Sequence, residues 1–191
     1  MKESFNRSTD SQEKVKLQRL HCDLSGIQMK SIHGYQYFLV AINDTTRAVW
    51  IQHLRSKEAA EVVPIFKQLQ KELKWEANTK VIFVRADNGK GEFGLMFQEH
   101  LLQEGMQFKP CPPYKHSMNR VAERAIQMVD QLTRSILYQA RLPPTMWCYA
   151  TEHAVWIRNR IPTSALPFGS DSTAETPYES YNSRKPNVQN L

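Results

Sequence analysis

No stretch of this chain is apolar for anything near the roughly 20 residues that a bilayer-spanning helix requires, which argues against a helical membrane protein. The N-terminus, Met1-Lys-Glu-Ser-Phe-Asn-Arg, lacks the apolar segment that a secretory signal carries. Cysteine is scarce: Cys22, Cys111 and Cys148 form an odd, scattered set. They cannot build a paired framework, which points to a reducing compartment. Without Cys-x-x-Cys or His-x-x-x-His spacing there is no zinc cage either. Internal repeats are missing too. What remains is one ordinary globular domain with appendages, since 191 residues with a 41% hydrophobic share can bury a sizeable core.

Acidic residues are in the minority. Twenty-five lysines and arginines face 19 carboxylates, and the pI of about 9.3 lies in the range that indicates a polyanion partner. The distribution is uneven. From Gln107 to Arg160 eight basic residues (Lys109, Lys115, Arg120, Arg124, Arg134, Arg141, Arg158, Arg160) are opposed by Glu123, Asp130 and Glu152 alone. A solvated helical surface has the same composition, so charge nominates nucleic acid without deciding for it.

Residues 1–16 are polar and of mixed charge, and read as a flexible lead-in. Three β-prone runs follow, at Leu17–Gly26, Tyr35–Ile42 and Ala48–Leu54; the turn residues Asn43-Asp-Thr-Thr-Arg47 join the last two into an antiparallel hairpin. A helix from Ser56 to about Lys74 places Val62, Phe66, Leu69 and Leu73 on one face, with Pro64 kinking it or delaying its start. Lys80–Ala86 is a buried strand. A short helix carrying Phe93, Phe97 and Leu101 ends at Gly105, before a last strand at Met106–Lys109. After a proline-rich loop at 110–119, a long helix runs from Asn119 to about Ala140 with Val121, Ala125, Met128, Leu132 and Ile136 toward the core. A final helix opens at Pro143-Pro144 and stops before Pro162, with Met146, Ala150, Ala154 and Ile157 in register. The turn-rich tail adds a strand around Pro177–Asn187. This order gives an α/β domain, a mixed five-stranded sheet with helices on both faces, compatible with an RNase H-like fold.

Asp23 interrupts the apolar pattern of the first strand, and Asp87 directly follows another. Carboxylates at the carboxyl ends of strands in such a sheet open onto a ligand crevice. Glu123, in the first turn of the long helix, shares its side with Asn119, Arg120, Gln127, Asp130 and Arg134, away from the apolar stripe. Each carboxylate also has an ordinary reading, as a turn former or a complement to the helix dipole. Three converging on one crevice suit hard cations, Mg²⁺ or Mn²⁺, and two such ions support phosphoryl transfer.

The spacing narrows the choice, because 35 residues separate Asp87 from Glu123. With Leu20-His-Cys-Asp-Leu-Ser-Gly26, Gly34-Tyr-Gln-Tyr-Phe-Leu39, Arg85-Ala-Asp-Asn-Gly89, Gly91-Glu-Phe93, Asn119-Arg-Val-Ala-Glu-Arg124, Leu142-Pro-Pro, Trp147, Asn159-Arg-Ile-Pro-Thr163, Thr176-Pro-Tyr-Glu179 and Lys185-Pro186, the chain resembles the integrase catalytic core of Copia-type retrotransposons. That family lies within the retroviral-integrase superfamily and carries its D,D(35)E signature. The resemblance covers about residues 17–187.

It implies an RNase H-like core at 17–162, a C-terminal extension at 163–191, and metal-dependent 3′-end processing and strand transfer in DNA integration. Asp23, Asp87 and Glu123 would be the catalytic residues and the ligands of two Mg²⁺ or Mn²⁺ ions. Lys115, Asn119, Arg120 and Arg124 would contact DNA. Expected partners are double-stranded element and target DNA and further copies of the chain, as a homodimer or larger oligomer, with no membrane. The resemblance implies a nuclear location, reached through cytoplasmic virus-like particles. Two departures stand out: Asn119-Arg120 replaces the family's Asn-Gly, and Lys90 splits its Gly-Gly-Glu-Phe. The family's zinc module has no counterpart here, so no zinc is expected. A catalytically inactive DNA-binding or assembly remnant, and another RNase H-like nuclease, are the alternative readings. His21, His116, Tyr114, Trp50, Trp147, Trp156 and Cys22 read as structural residues.

Overall fold

Alternating apolar residues build the centre of the molecule. The computed structural model describes residues 15–77, 80–87, 92–111, 120–166 and 174–189. Strands β1 (Arg19–Leu24), β2 (Tyr37–Asn43), β3 (Val49–Leu54), β4 (Phe83–Ala86) and β5 (Gln107–Pro110) form one sheet in the order β3-β2-β1-β4-β5. The β1–β2 and β2–β3 pairs are antiparallel, and β1–β4 and β4–β5 are parallel. The expected hairpin is therefore present. Its turn is tied by Asn43, whose Oδ1 accepts from the backbone N–H groups of Thr45 and Thr46 at 2.9 and 2.8 Å.

Helices cover both faces. On one lie α1 (Ala59–Ala77) and α2 (Leu95–Gln103), whose Val62, Phe66, Leu69, Leu73, Phe97 and Leu101 meet Leu20, Cys22, Leu24, Leu39 and Ala41. Phe66 and Phe97 pack edge to face, with centroids 4.9 Å apart. On the other lie α3 (Arg120–Gln139) and α4 (Trp147–Arg160), packed on Phe38, Val40 and Ile42. The mixed sheet flanked on both sides is the RNase H-like architecture.

Several local expectations need correction. Helix α1 begins at Ala59 and not at Ser56, because the Glu61 carboxylate reaches back to accept from the Arg55 and Ser56 N–H groups and the Ser56 hydroxyl. Pro64 lies inside the helix, close to its start. Phe93 precedes α2, whose N-cap is Gly94, and is nonetheless buried. Gly105, at φ +67°, closes α2 as foreseen: its N–H donates to Leu102 O and that of Met106 to Leu101 O, a Schellman pair. The tail adds no strand. Residues 177–182 form the short helix α5 (Pro177–Asn182), with Pro177 at its first position and the Thr176 hydroxyl accepting from Glu179 N–H.

The core face of α3 also differs from the expected one. Ala122, Ala125, Val129 and Thr133 are buried, whereas Val121, Met128, Leu132 and Ile136 are only half-buried. Small side chains let α3 approach the sheet and α4, and the larger apolar ones are displaced to one side. In α4 the buried set is Trp147, Cys148, Ala150, Thr151, Ala154, Val155 and Arg158, broader than the sequence stripe. A 3-10 turn, Pro144–Met146, precedes it. Two residues of the sequence motifs act as clamps. Trp147 Nε1 donates to Met29 O at 2.6 Å, and the Asn159 amide exchanges two hydrogen bonds with the Val49 backbone, at 2.9 and 2.8 Å, pinning edge strand β3.

Candidate active site

Alternation along β1 decides where Asp23 points. Leu20, Cys22 and Leu24 enter the α1–α2 core, so Arg19, His21 and Asp23 face the α3–α4 side. The parallel register sets His21 against Arg85; two further steps bring Asp23 beside Asp87, just past the end of β4. Helix α3 rests on this same face through Ala122 and Ala125, and its first turn carries Glu123, half-buried, toward the strand ends. The charges of Glu123 and Asp87 both act on Asp23, and those of all three act on the Cys111 thiol just after β5. The three carboxylates that sequence reasoning nominated thus lie within electrostatic reach of one another, at the carboxyl ends of β1 and β4 and on the first turn of α3.

The Asp23 carboxyl is pushed up to about 6, chiefly by burial and further by the negative charges of Glu123 and Asp87. Two contacts oppose the rise: the Leu24 N–H donates to Asp23 Oδ1 at 2.9 Å, and the Lys57 ammonium favours the charged form. Lys57, just before α1, was not singled out from the sequence. Its Nζ lies 5.4 Å from the Tyr37 ring centroid, a placement that only the β3–α1 connection produces. The Cys111 thiol is raised to about 11, first by burial, so it is no nucleophile at neutral pH. Cys22, fully buried on the far face, is raised further still and is equally inert.

A raised carboxyl means that the folded state holds a proton more tightly than the unfolded chain. Folding stability accordingly falls as pH rises from about 4 to about 6, and the penalty is complete above that window. Asp23→Asn is expected to melt above wild type at pH 7.5, with the difference closing as pH falls toward 4. Equal melting temperatures across the whole range would mean that Asp23 is as well solvated as in the unfolded chain.

Among the described residues, no three His, Cys, Asp or Glu side chains are grouped so as to hold a metal ion. Asp23, Asp87 and Glu123 are the hard oxygen donors that a divalent cation takes, and the negative charge of the other two adds to the rise that burial imposes on Asp23. Of the expected DNA contacts, Arg120 and Arg124 lie exposed on the first turn of α3. Lys115 and Asn119 lie outside the described residues, as do Asn88, Gly89, Lys90, Tyr114 and His116. His21 is structural: its Nε2 donates to Asp44 at 3.1 Å, and burial lowers its pKa.

No protein-family model matches the chain. Among solved structures, the HTLV-2 integrase catalytic core domain in complex with magnesium superposes with a TM-score of 0.63 at 18% identity, over 86% of this chain and 96% of that one. The catalytic core domain of BIV integrase gives 0.61 at 20%, over 86% and 93%. A simian T-cell lymphotropic virus intasome chain gives 0.71 at 14%, over 95% of this chain and 61% of its own. In sequence, the chain is 29% identical over 166 residues to the retrovirus-related Pol polyprotein from transposon TNT 1-94 of Nicotiana tabacum, and 28% identical over 188 residues to that from transposon RE2 of Arabidopsis thaliana. The chain is a relative of retrotransposon Pol polyproteins with the fold of an integrase catalytic core. It covers 12% of the length of each of those polyproteins. In this fold Asp23 and Asp87 lie at the carboxyl ends of two adjacent parallel strands, and Glu123 on the first turn of the helix that packs on the same face.

Proposed function

We propose that this chain is the catalytic core of a retrotransposon integrase, a polynucleotidyl transferase that trims element ends and joins them to target DNA. What supports the reading is that Asp23 and Asp87 end two adjacent parallel strands, with Glu123 on the helix packed against the same face and both other carboxylates acting electrostatically on Asp23. These three residues would hold two Mg²⁺ or Mn²⁺ ions, which supply activation of an attacking oxygen and neutralise charge on the departing one. The chain's own residues do the rest. The Leu24 N–H holds one Asp23 oxygen in place, and Lys57 supports its ionised form. Arg120 and Arg124 offer guanidinium groups to a phosphodiester running past the helix start. No covalent enzyme intermediate is required, so the same groups serve water and a DNA 3′-hydroxyl as attackers.

In this reading residues 17–162 are the catalytic unit and 163–191 its extension, with 1–16 as lead-in. Its partners are element and target DNA and further copies of the chain, and it acts in the nucleus. A non-catalytic DNA-holding remnant has one observation in its favour, the open arrangement of the carboxylates. Nicking and strand joining on branched DNA, with and without Mg²⁺ or Mn²⁺, separate the two. Metal-dependent products support the enzyme; tight binding without products at any metal concentration supports the remnant.

A further inference from the structure

Helix α3 has two working sides. At about 100° per residue, its buried stripe of Ala122, Val129 and Thr133 lies between Glu123 on one flank and Val121, Arg124, Met128 and Leu132 on the other. That second flank, with the α4 C-terminus and the segment Ile161–Ala165, encloses a groove of about 860 Å³. Arg47, Arg120, Arg124 and Arg158 line it, and no carboxylate among the described residues does.

The floor of the groove is electrostatically unfinished. Arg158 is only 8% exposed, its Nη1 has no hydrogen-bond partner, and no carboxylate among the described residues lies within ion-pair distance of it. A buried guanidinium in that condition is costly. A second cation makes matters worse: burial lowers the Arg158 pKa, and repulsion from Arg47 lowers it further. Arg47 has a carboxylate, Asp44, at 3.3 Å, but Asp44 also serves Arg19 and His21, and Arg47 Nε is left without a partner. The backbone holds Arg47 at φ +59°, an unfavourable conformation for arginine, fixed by its N–H donating to Asn43 O at 3.0 Å. Around these cations stand the hydroxyl residues Ser135, Thr163 and Ser164, with Ile42, Met128 and Leu132 as an apolar wall.

We propose that this groove is a phosphate site, and that its occupant is the backbone of a DNA strand that has crossed the first turn of α3 from the carboxylate crevice. The choice of DNA rests on the integrase reading. Guanidinium pairs bind phosphate oxygens through paired N–H donors, and the apolar wall suits a sugar. Arg120 and Arg124, which line the groove and are exposed, stand on either side of Glu123 in sequence at the start of α3.

Thermal melting and DNA titration test this, with pyrophosphate as the small probe and ionic strength held constant. Arg158→Met is expected to melt above wild type without added anion, because an unpaired buried charge is gone. Pyrophosphate should raise the melting temperature of wild type and leave Arg158→Met unmoved. For DNA binding, the slope of log affinity against log salt should fall by about 1 in Arg158→Met, and likewise in Arg124→Ala, whose exposed rim position does not bear on folding. No pyrophosphate effect on wild type, or an equal effect on the variant, overturns the phosphate site. A pyrophosphate effect lost in Arg158→Met, with both DNA slopes unchanged, overturns DNA as the occupant and leaves a small free phosphate compound. These readouts are binding alone, so an inactive carboxylate crevice would not alter them.

Discussion

Glu123→Gln is expected to abolish metal-dependent nicking and joining while leaving the melting temperature and the far-UV spectrum within error of wild type. The side chain is half-buried in the first turn of α3, and the amide keeps its volume. What changes is the charge, which contributes to the field at Asp23 and supplies a hard oxygen to the proposed metal site. Losing such a ligand removes several kcal/mol of transition-state stabilisation, on the order of a thousandfold or more in rate. Turnover within a few-fold of wild type would remove Glu123 from the chemistry. Loss of activity together with a fall in melting temperature would mean that the glutamate holds α3 in place, a structural role that the substitution is designed to exclude.

Asp44→Ala should destabilise the fold more than any other single polar substitution, by about 3–5 kcal/mol in urea unfolding. Asp44 is buried in the turn after β2, and its two oxygens take Arg19 at 3.3 Å, His21 at 3.1 Å and Arg47 at 3.3 Å. Removing it strips a carboxylate from the buried guanidinium of Arg19 and the half-buried one of Arg47, which is already repelled by Arg158. Asp44→Asn, which retains a hydrogen-bond acceptor, should cost clearly less than alanine. A loss under about 1 kcal/mol for Asp44→Ala would show that water reaches these cations freely.

The sheet was legible because it is made of local signals. β-Prone apolar runs marked β1 and β2, and Asn43-Asp-Thr-Thr-Arg47 is turn chemistry between the two strands of the hairpin. Asp23 and Asp87 were legible as strand-end carboxylates, and their neighbourhood follows from a parallel register that no single strand encodes. Asp44 illustrates the limit. From the sequence it is a turn aspartate, and only pairing of β1 with β2 brings Arg19 and His21 against it. The face of α3 was misjudged for a related reason. Apolar periodicity picks out Val121, Ala125, Met128, Leu132 and Ile136, whereas the close helix approach buries Ala122, Ala125, Val129 and Thr133 and leaves Val121, Met128 and Leu132 to line a groove. The tail was read as extended because prolines and turn formers dominate it. The Thr176-Pro-Tyr-Glu179 start signal, a capping residue with glutamate three positions on, was present and outweighed.

The short helix α5 has a consequence for how the two ends of this core meet. Lys16 Nζ donates to Tyr181 O at 3.2 Å and to Ser183 Oγ at 2.8 Å, while Tyr181 packs edge-on against Trp50 with centroids 5.1 Å apart. Positions 167 residues apart are thus knotted at one point beside strand β3. Topologically the domain is almost a closed loop. Within the described residues, the chain at Lys16 and the chain at Ser183 lie side by side. A short peptide joining that spot across would turn the core into a ring without stretching any strand.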